Sequence, residues 1–184
     1  EMRAVRTRIA TALKLPAGSE VVLAPSGVEA EYIGMLVAQQ LHPHARLHSI
    51  VAAAGEVGTA TAEAARCVSY DNLTPFCAPT ARAPTKGSLL DGFAHIEQFC
   101  VPARDATGKQ SDEAAAIGAH IDAVAAASAE PIAWVVRQVA GTKTGFTTSL
   151  PDAASACGAL PADALVVLGA CQLPVGGRPV PWVL

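Results

Sequence analysis

The sequence predicts an α/β fold of three layers, in which helices cover both faces of a mostly parallel sheet. Short apolar runs of strand length recur along the chain, and helical patterns separate them. Strands that alternate with helices are joined by right-handed crossovers, which make neighbouring strands parallel. Small polar turns follow four of the apolar runs. Because ligands of parallel sheets gather at the carboxyl ends of the strands, these turns are the candidate functional sites.

Composition limits the class of protein. The chain of 184 residues fits one domain with a substantial core. It shows neither an apolar stretch long enough for a membrane span nor an export leader. A net charge of −3 with scattered Lys and Arg argues against a nucleic-acid partner. The five cysteines have no C-x-x-C spacing, so we expect free thiols and a cytoplasmic location.

The stretch around which the chain is organised is residues 21–41, and a predicted helix precedes it. Residues 2–15 have the pattern of an amphipathic helix, with Val5, Ile9 and Leu13 on one face. Residues 21–24 form an apolar run of strand length, and a second helix begins at about residue 28.

The turn between that run and the second helix has the sequence Pro25-Ser26-Gly27. A helix N-terminus presents unpaired N–H groups and a favourable dipole to an anion. The Ser26 hydroxyl adds a further group, and Gly27 lets a phosphate approach the backbone. The alternative is a capping box formed by Ser26 and Glu29, which requires no ligand. The turn alone favours the cap, and both interpretations stay open.

A histidine-rich linker and a second small-residue turn come next. His42, His44 and His48 could suggest a metal site, but solvated linker histidines are the commoner explanation. Residues 49–53 are predicted as a buried strand. The turn at 55–61 opens a short helix at 62–66, where Thr59 or Thr61 is either a ligand-binding hydroxyl or an ordinary N-cap.

The remaining elements continue the alternation. Residues 69–94 are predicted as an irregular loop, 95–101 as a strand and 104–108 as a turn. A helix is expected from an N-cap at Ser111 to about residue 128, with its apolar stripe toward the core. The later predicted elements are a strand at 132–139, a turn at 141–145, a helix at 152–160, a strand at 165–168 and an irregular tail at 173–184.

Four segments resemble a known family when they are taken in order. They are APSGVEA at 24–30, GEVGT at 55–59, TKTG at 142–145 and LVVLGACQ at 165–172. Together they are similar to the large domain of fold-type I pyridoxal-phosphate (PLP) enzymes, nearest the class-V aminotransferase and cysteine-desulfurase branch. The resemblance covers residues 1–172, so we expect a partial PLP-binding large domain followed by the tail.

The resemblance implies a role for each matching residue. The Ser26 hydroxyl and the N–H groups of Gly27 and Val28 would bind the cofactor phosphate, with Val28 where the family usually has Thr. Thr59 would lie near the ring or the phosphate, and Gln172 would donate a hydrogen bond to the phenolic oxygen of the ring. No residue clearly matches the aromatic that stacks on the ring, unless it is Tyr70.

Two positions depart from the family pattern. Gly169 stands where the family has the Asp that pairs with the pyridine nitrogen. The family lysine that holds the cofactor follows this strand, whereas no Lys follows Lys143 and the chain ends 12 residues after Gln172. Lys143 precedes the strand and is more simply a solvated loop residue. Cys171 is in a strand end, where a buried thiol is the simpler role than a persulfide nucleophile.

The expected function combines the resemblance and these departures. We expect a truncated part of a PLP-dependent enzyme that acts on an amino acid or amine, of aminotransferase, desulfurase or lyase type. The isolated chain is expected to be inactive, and the resemblance implies that the intact parent is a homodimer. The alternative is a non-catalytic α/β module that binds a phosphate-bearing ligand or a partner chain.

Overall fold

A computed structural model describes residues 1–72, 84–139 and 160–169 of the protein. It contains a sheet of four strands, all parallel, in the order β2-β1-β3-β4. The strands are β1 (Arg46–Val51), β2 (Glu97–Cys100), β3 (Ile132–Val139) and β4 (Leu165–Gly169). The predicted α/β class with a parallel sheet is therefore confirmed for this part of the chain.

Four helices accompany the sheet within these described residues. They are α1 (Met2–Ala12), α2 (Gly27–Leu41), α3 (Thr61–Ala64) and α4 (Glu113–Ala127). None of the helices in the described ranges is both long and apolar enough to cross a membrane.

Helices α2 and α4 pack on opposite faces of the sheet. Successive side chains of a strand point to opposite sides, so β3 contacts both helices. Trp134 and Val136 of β3 belong to a buried cluster with Ile117 and Ile121 of α4. Val135, between them in sequence, belongs to a second cluster, which includes Met35 and Ala38 of α2. The predicted stripe on α4 is confirmed, with Val124 packed against its cluster.

The strand predicted at 21–24 is wrong. This segment has no regular structure, and Val22 and Leu23 are 60% and 38% exposed. An apolar run becomes a strand only when a neighbouring strand pairs with its backbone groups. Residues 21–24 have no such partner among the described strands.

Several other boundaries differ from the prediction. Helix α1 ends at Ala12 and has no buried residue, and Val5 of its apolar stripe is 37% exposed. Asp112 caps α4 in place of Ser111, because its side chain accepts a hydrogen bond from Ala115 N at 3.0 Å. Strand β1 begins at Arg46 and therefore includes His48, which is buried rather than part of a solvated linker.

The expected thiol state is confirmed for two of the five cysteines: Cys67 is buried and free, and Cys100 is exposed and free. The predicted turn at 141–145, most of the helix at 152–160 and the tail lie outside the described residues.

Gly34 of α2 packs directly against the side chains of β3 and β4. A Cβ atom at this position would lie 2.7 Å from Val167 Cγ2 of β4. We expect Gly34→Ala to destabilise the protein by about 1–2 kcal/mol in urea unfolding, because overpacking outweighs the gain of roughly 1 kcal/mol in helix propensity. Adding Val167→Ala should relieve the overlap, so a coupling energy near zero between the two changes would contradict this packing.

Candidate functional site

Ser26 caps helix α2. Its hydroxyl oxygen accepts hydrogen bonds from Val28 N at 3.2 Å and Glu29 N at 3.4 Å. The same hydroxyl donates a hydrogen bond to the carboxylate of Glu29. Ser26 and Glu29 therefore contact each other as the capping box predicts, but Glu29 accepts from the Ser26 hydroxyl rather than from the Ser26 backbone N–H. The helix and its N-cap were predicted correctly from the sequence.

Tyr70 connects this helix start to the loop that follows α3. Its hydroxyl donates to the second carboxylate oxygen of Glu29. Burial and this hydrogen bond raise the pKa of Tyr70. In the second turn of α2, Tyr32 donates to the carbonyl oxygen of Val68 at 3.2 Å, and burial raises the pKa of Tyr32 to about 12. Two tyrosines therefore hold the loop against α2.

A pocket of about 310 Å³ lies beside this loop. Its volume is at the small end of the range for ligand pockets. Its lining combines residues before and within α3, the loop after it and the segment at 86–87. They are Thr59, Ala60, Glu63, Arg66, Val68, Ser69, Tyr70, Lys86 and Gly87.

Tyr70 belongs both to the network at the start of α2 and to the lining of this pocket. The structure thus brings the Ser26 turn and the Thr59 turn, which the sequence singles out separately, to the same region. Thr61 is different, because it is 3% exposed and lies inside the fold. Ala60 occupies the N-cap position of α3 with no side-chain cap bond, so neither threonine caps that helix.

The start of α2 provides room and backbone donors for an anion. Ser26 and Gly27 are exposed, and a Cβ atom on Gly27 would meet nothing within 4 Å. The Glu29 carboxylate opposes anion binding, because it is negatively charged and already accepts the hydrogen bond that the Ser26 hydroxyl donates. A phosphate fits here if it replaces Glu29 as the acceptor for Ser26.

The other predicted cofactor contacts are placed as follows. Gly169 ends β4 and has no side chain that could pair with a pyridine nitrogen. Gln172, Cys171 and Lys143 lie outside the described residues.

A buried ion pair between α2 and β3 was missed in the sequence. Arg137 Nε donates to Glu31 Oε1 at 2.6 Å, and both side chains are 9% exposed. Burial raises the pKa of Glu31, while the Arg137 guanidinium opposes that rise. The available signal was an Arg inside an apolar strand, since a buried charge needs a partner.

A cluster of two histidines, which the sequence did not predict either, joins α4 to the sheet. The Nε2 atoms of His48 and His120 are 2.9 Å apart. His48 Nδ1 lies 3.4 Å from Glu97 Oε2, and Phe99 stacks on His120 with ring centroids 3.9 Å apart. Within the described ranges, no group of three or more His, Cys, Asp or Glu residues is arranged to hold a metal ion.

Comparison with known proteins gives no match to a family model, to a curated protein or to a solved structure.

Proposed function

We propose that the chain forms part of the cofactor-binding domain of a PLP-dependent enzyme that acts on an amino acid or amine. The observation that supports this function is the meeting of the Ser26 turn with the pocket that Thr59 lines, through Tyr70. In a parallel α/β sheet, a helix N-terminus next to such a pocket is suited to a phosphorylated ligand.

The phosphate would be held at the start of α2. The N–H groups of Gly27 and Val28 and the Ser26 hydroxyl would bind it, and Thr59 would lie on the pocket side. When bound, PLP supplies an electron sink for reactions next to the substrate nitrogen. Because Gly169 provides no carboxylate for the ring nitrogen, we expect weak catalysis at most from the chain as it stands.

Ser26→Ala should weaken PLP binding by about tenfold, because a hydrogen bond to a charged group contributes roughly 1.5 kcal/mol or more. Absorbance titration with PLP measures this effect. The same change removes an N-cap and should lower the free energy of unfolding by about 1 kcal/mol.

Asp112→Ala is the matched control, because it removes the N-cap of α4 and leaves the start of α2 unchanged. It should lose similar stability and keep its PLP affinity. Glu29→Gln should strengthen binding by about fivefold, since a nearby unit charge acts with ~1 kcal/mol even in water. The proposal fails if Ser26→Ala and Asp112→Ala have the same effect on PLP affinity.

The alternative function is a non-catalytic module for a phosphate-bearing ligand. The absence of a carboxylate side chain at Gly169 favours this alternative, because a ligand without a pyridine ring requires no such partner. Glycerol 3-phosphate distinguishes the two functions, because it carries the phosphate without the ring. Affinity equal to that of PLP would support the module, whereas clearly weaker binding would support the PLP-dependent function.

A further inference from the structure

Helix α1 presents apolar side chains that the rest of the described structure does not bury. Met2, Val5 and Ile9, with Leu13 directly after the helix, follow one another at intervals of three or four residues and lie along one face. Met2, Val5 and Leu13 are 56%, 37% and 43% exposed, and Ile9 is partly exposed. A helix of 11 residues is marginal in water unless its apolar face is buried. Helix α1 is therefore suited to a surface that covers this face.

Positive charges border the apolar face of α1. The first 14 residues contain four cationic side chains, all of them exposed, which are Arg3, Arg6, Arg8 and Lys14. None of the four forms an ion pair with a carboxylate among the residues that the structure describes. Arg6 and Arg8 lie on either side of Ile9 around the helix axis. The free cations and the apolar face together indicate a partner that is both negatively charged and apolar.

We propose that α1 binds the surface of a membrane that contains anionic lipid, with the helix axis in the plane of the interface. An apolar face bordered by Lys and Arg is typical of helices that lie in such interfaces. The apolar side chains enter the boundary between headgroups and acyl chains, while the guanidinium groups stay beside the lipid phosphates. The helix lies on the membrane and does not cross it, in agreement with its short length.

The size of α1 favours a lipid surface over a second copy of the chain. A helix of 11 residues is about 16 Å long and about 10 Å wide. One face of such a helix is small beside the roughly 1,200 Å² or more that a stable protein interface buries. Lipid binding has no such minimum, because it strengthens with the apolar area inserted and with each cation near the surface.

The charge of the remaining chain determines which part of it faces the lipid. Residues 15–184 carry 9 Lys and Arg (13 − 4) against 15 Asp and Glu (16 − 1), so they are acidic. An anionic membrane repels this part, although salt screens the repulsion beyond about 8 Å at physiological ionic strength. Attachment through the cationic segment at α1 keeps the acidic remainder away from the surface.

Co-sedimentation of the full chain with lipid vesicles tests the proposal. We expect binding to vesicles of phosphatidylcholine that contain about 30% phosphatidylserine, in the range of anionic surfaces that attract basic segments. Binding to phosphatidylcholine alone should be at least about tenfold weaker, since each Lys or Arg near an anionic surface contributes about fivefold. Raising the salt from about 0.1 M to about 1 M should release the protein, because the Debye length falls from about 10 Å to about 3 Å.

The charge requirement is tested by the double variant Arg6→Gln with Arg8→Gln. It should bind the anionic vesicles about tenfold more weakly or less tightly still, because it removes the two cations beside the apolar face. The control is Lys86→Gln with Lys109→Gln, which removes two exposed cations elsewhere and should leave binding unchanged.

The apolar requirement is tested by Ile9→Ser, which should weaken binding by about tenfold through the loss of inserted apolar area. Leu41→Ser is its control, because Leu41 is an exposed apolar residue at the end of α2. It should leave vesicle binding unchanged. Circular dichroism and the thermal midpoint of each variant verify that it is folded.

Three outcomes would overturn the inference. The first is the absence of binding to the anionic vesicles by the unmodified chain, which requires no variant to fold. The second is equal binding by the Arg6, Arg8 variant and its lysine control. The third is a dimer in analytical ultracentrifugation that Ile9→Ser dissociates, together with no lipid binding, which would assign α1 to a second copy. PLP takes no part in these measurements, so their outcome is independent of the proposed function.

Discussion

Glu31→Ala is expected to lower the free energy of unfolding by about 3–5 kcal/mol, because it leaves the Arg137 guanidinium buried without its partner. The two side chains join α2 to the central strand β3 at 2.6 Å, and each is 9% exposed. Arg137 Nη1 is also buried and has no hydrogen-bond partner within the described ranges, so the guanidinium already has incomplete pairing. Urea unfolding followed by circular dichroism measures the loss.

Replacing both charges should recover most of this stability. The double variant Glu31→Leu with Arg137→Met exchanges a buried ion pair for apolar side chains of similar size, a change that is often neutral or stabilising. Arg46→Ala is the control for an exposed pair, because Arg46 and Glu97 are 47% and 43% exposed. It should cost less than about 1 kcal/mol. A loss for Glu31→Ala no larger than that for Arg46→Ala would contradict this description of the pair.

Acidification from pH 7 to pH 5 should destabilise the protein through His48 and His120. Burial lowers the pKa of both rings, and the neighbouring ring lowers that of His48 further. The Glu97 carboxylate raises the pKa of each ring and so opposes this effect, whereas the Arg46 guanidinium lowers the pKa of His48 further. Two neutral rings can share one N–H between their Nε2 atoms, but two protonated rings cannot.

The direction in which stability changes with pH follows from which state binds protons more readily. Each folded-state pKa lies below the ordinary value of 6.5, so the unfolded chain takes up protons first as the pH falls through that value. The stabilisation is fully present above pH 6.5 and is lost as the pH falls from that value through the folded-state pKa of each ring. The raised pKa of Glu31 acts in the opposite direction, because protonating this carboxyl favours the folded state.

Urea unfolding of the unmodified chain and of a His48→Gln, His120→Gln double variant at several pH values isolates the histidine contribution. We expect the double variant to lose most of the decline in stability between pH 7 and pH 5. His44→Gln, a change at an exposed position, should keep the decline. Equal pH dependence in all three proteins would show that these two rings do not control the acid response.

The sequence predicts the central elements well where apolar periodicity decides the structure. The bounds predicted for β3 agree with the structure, and Ile117 and Ile121 of α4 are buried as their spacing predicts. The strand expected at 21–24 fails because pairing depends on a neighbour that local sequence does not specify. Similarly, His48 was assigned to a linker, since single-residue chemistry does not reveal where a strand begins.

The candidate site could be predicted only in part. Ser26 was placed correctly at the start of a helix, and its contact with Glu29 follows from their spacing. The contribution of Tyr70 could not be predicted, because it joins Glu29 across 41 positions of the chain. The position of Glu63 and Arg66 in the lining of one pocket likewise depends on how α3 and the loop after it fold together.

The most direct test of the central claim is a two-dimensional ¹H–¹⁵N NMR titration of the labelled chain with PLP. If the phosphate binds at the start of α2, the amide signals of Gly27 and Val28 should shift in a saturable way, and Thr59 should shift with them. Pyridoxal, which lacks the phosphate, should leave Gly27 and Val28 almost unchanged. Shifts confined to other regions, or equal shifts with pyridoxal, would contradict a phosphate site at Ser26 and with it the proposed PLP-dependent function.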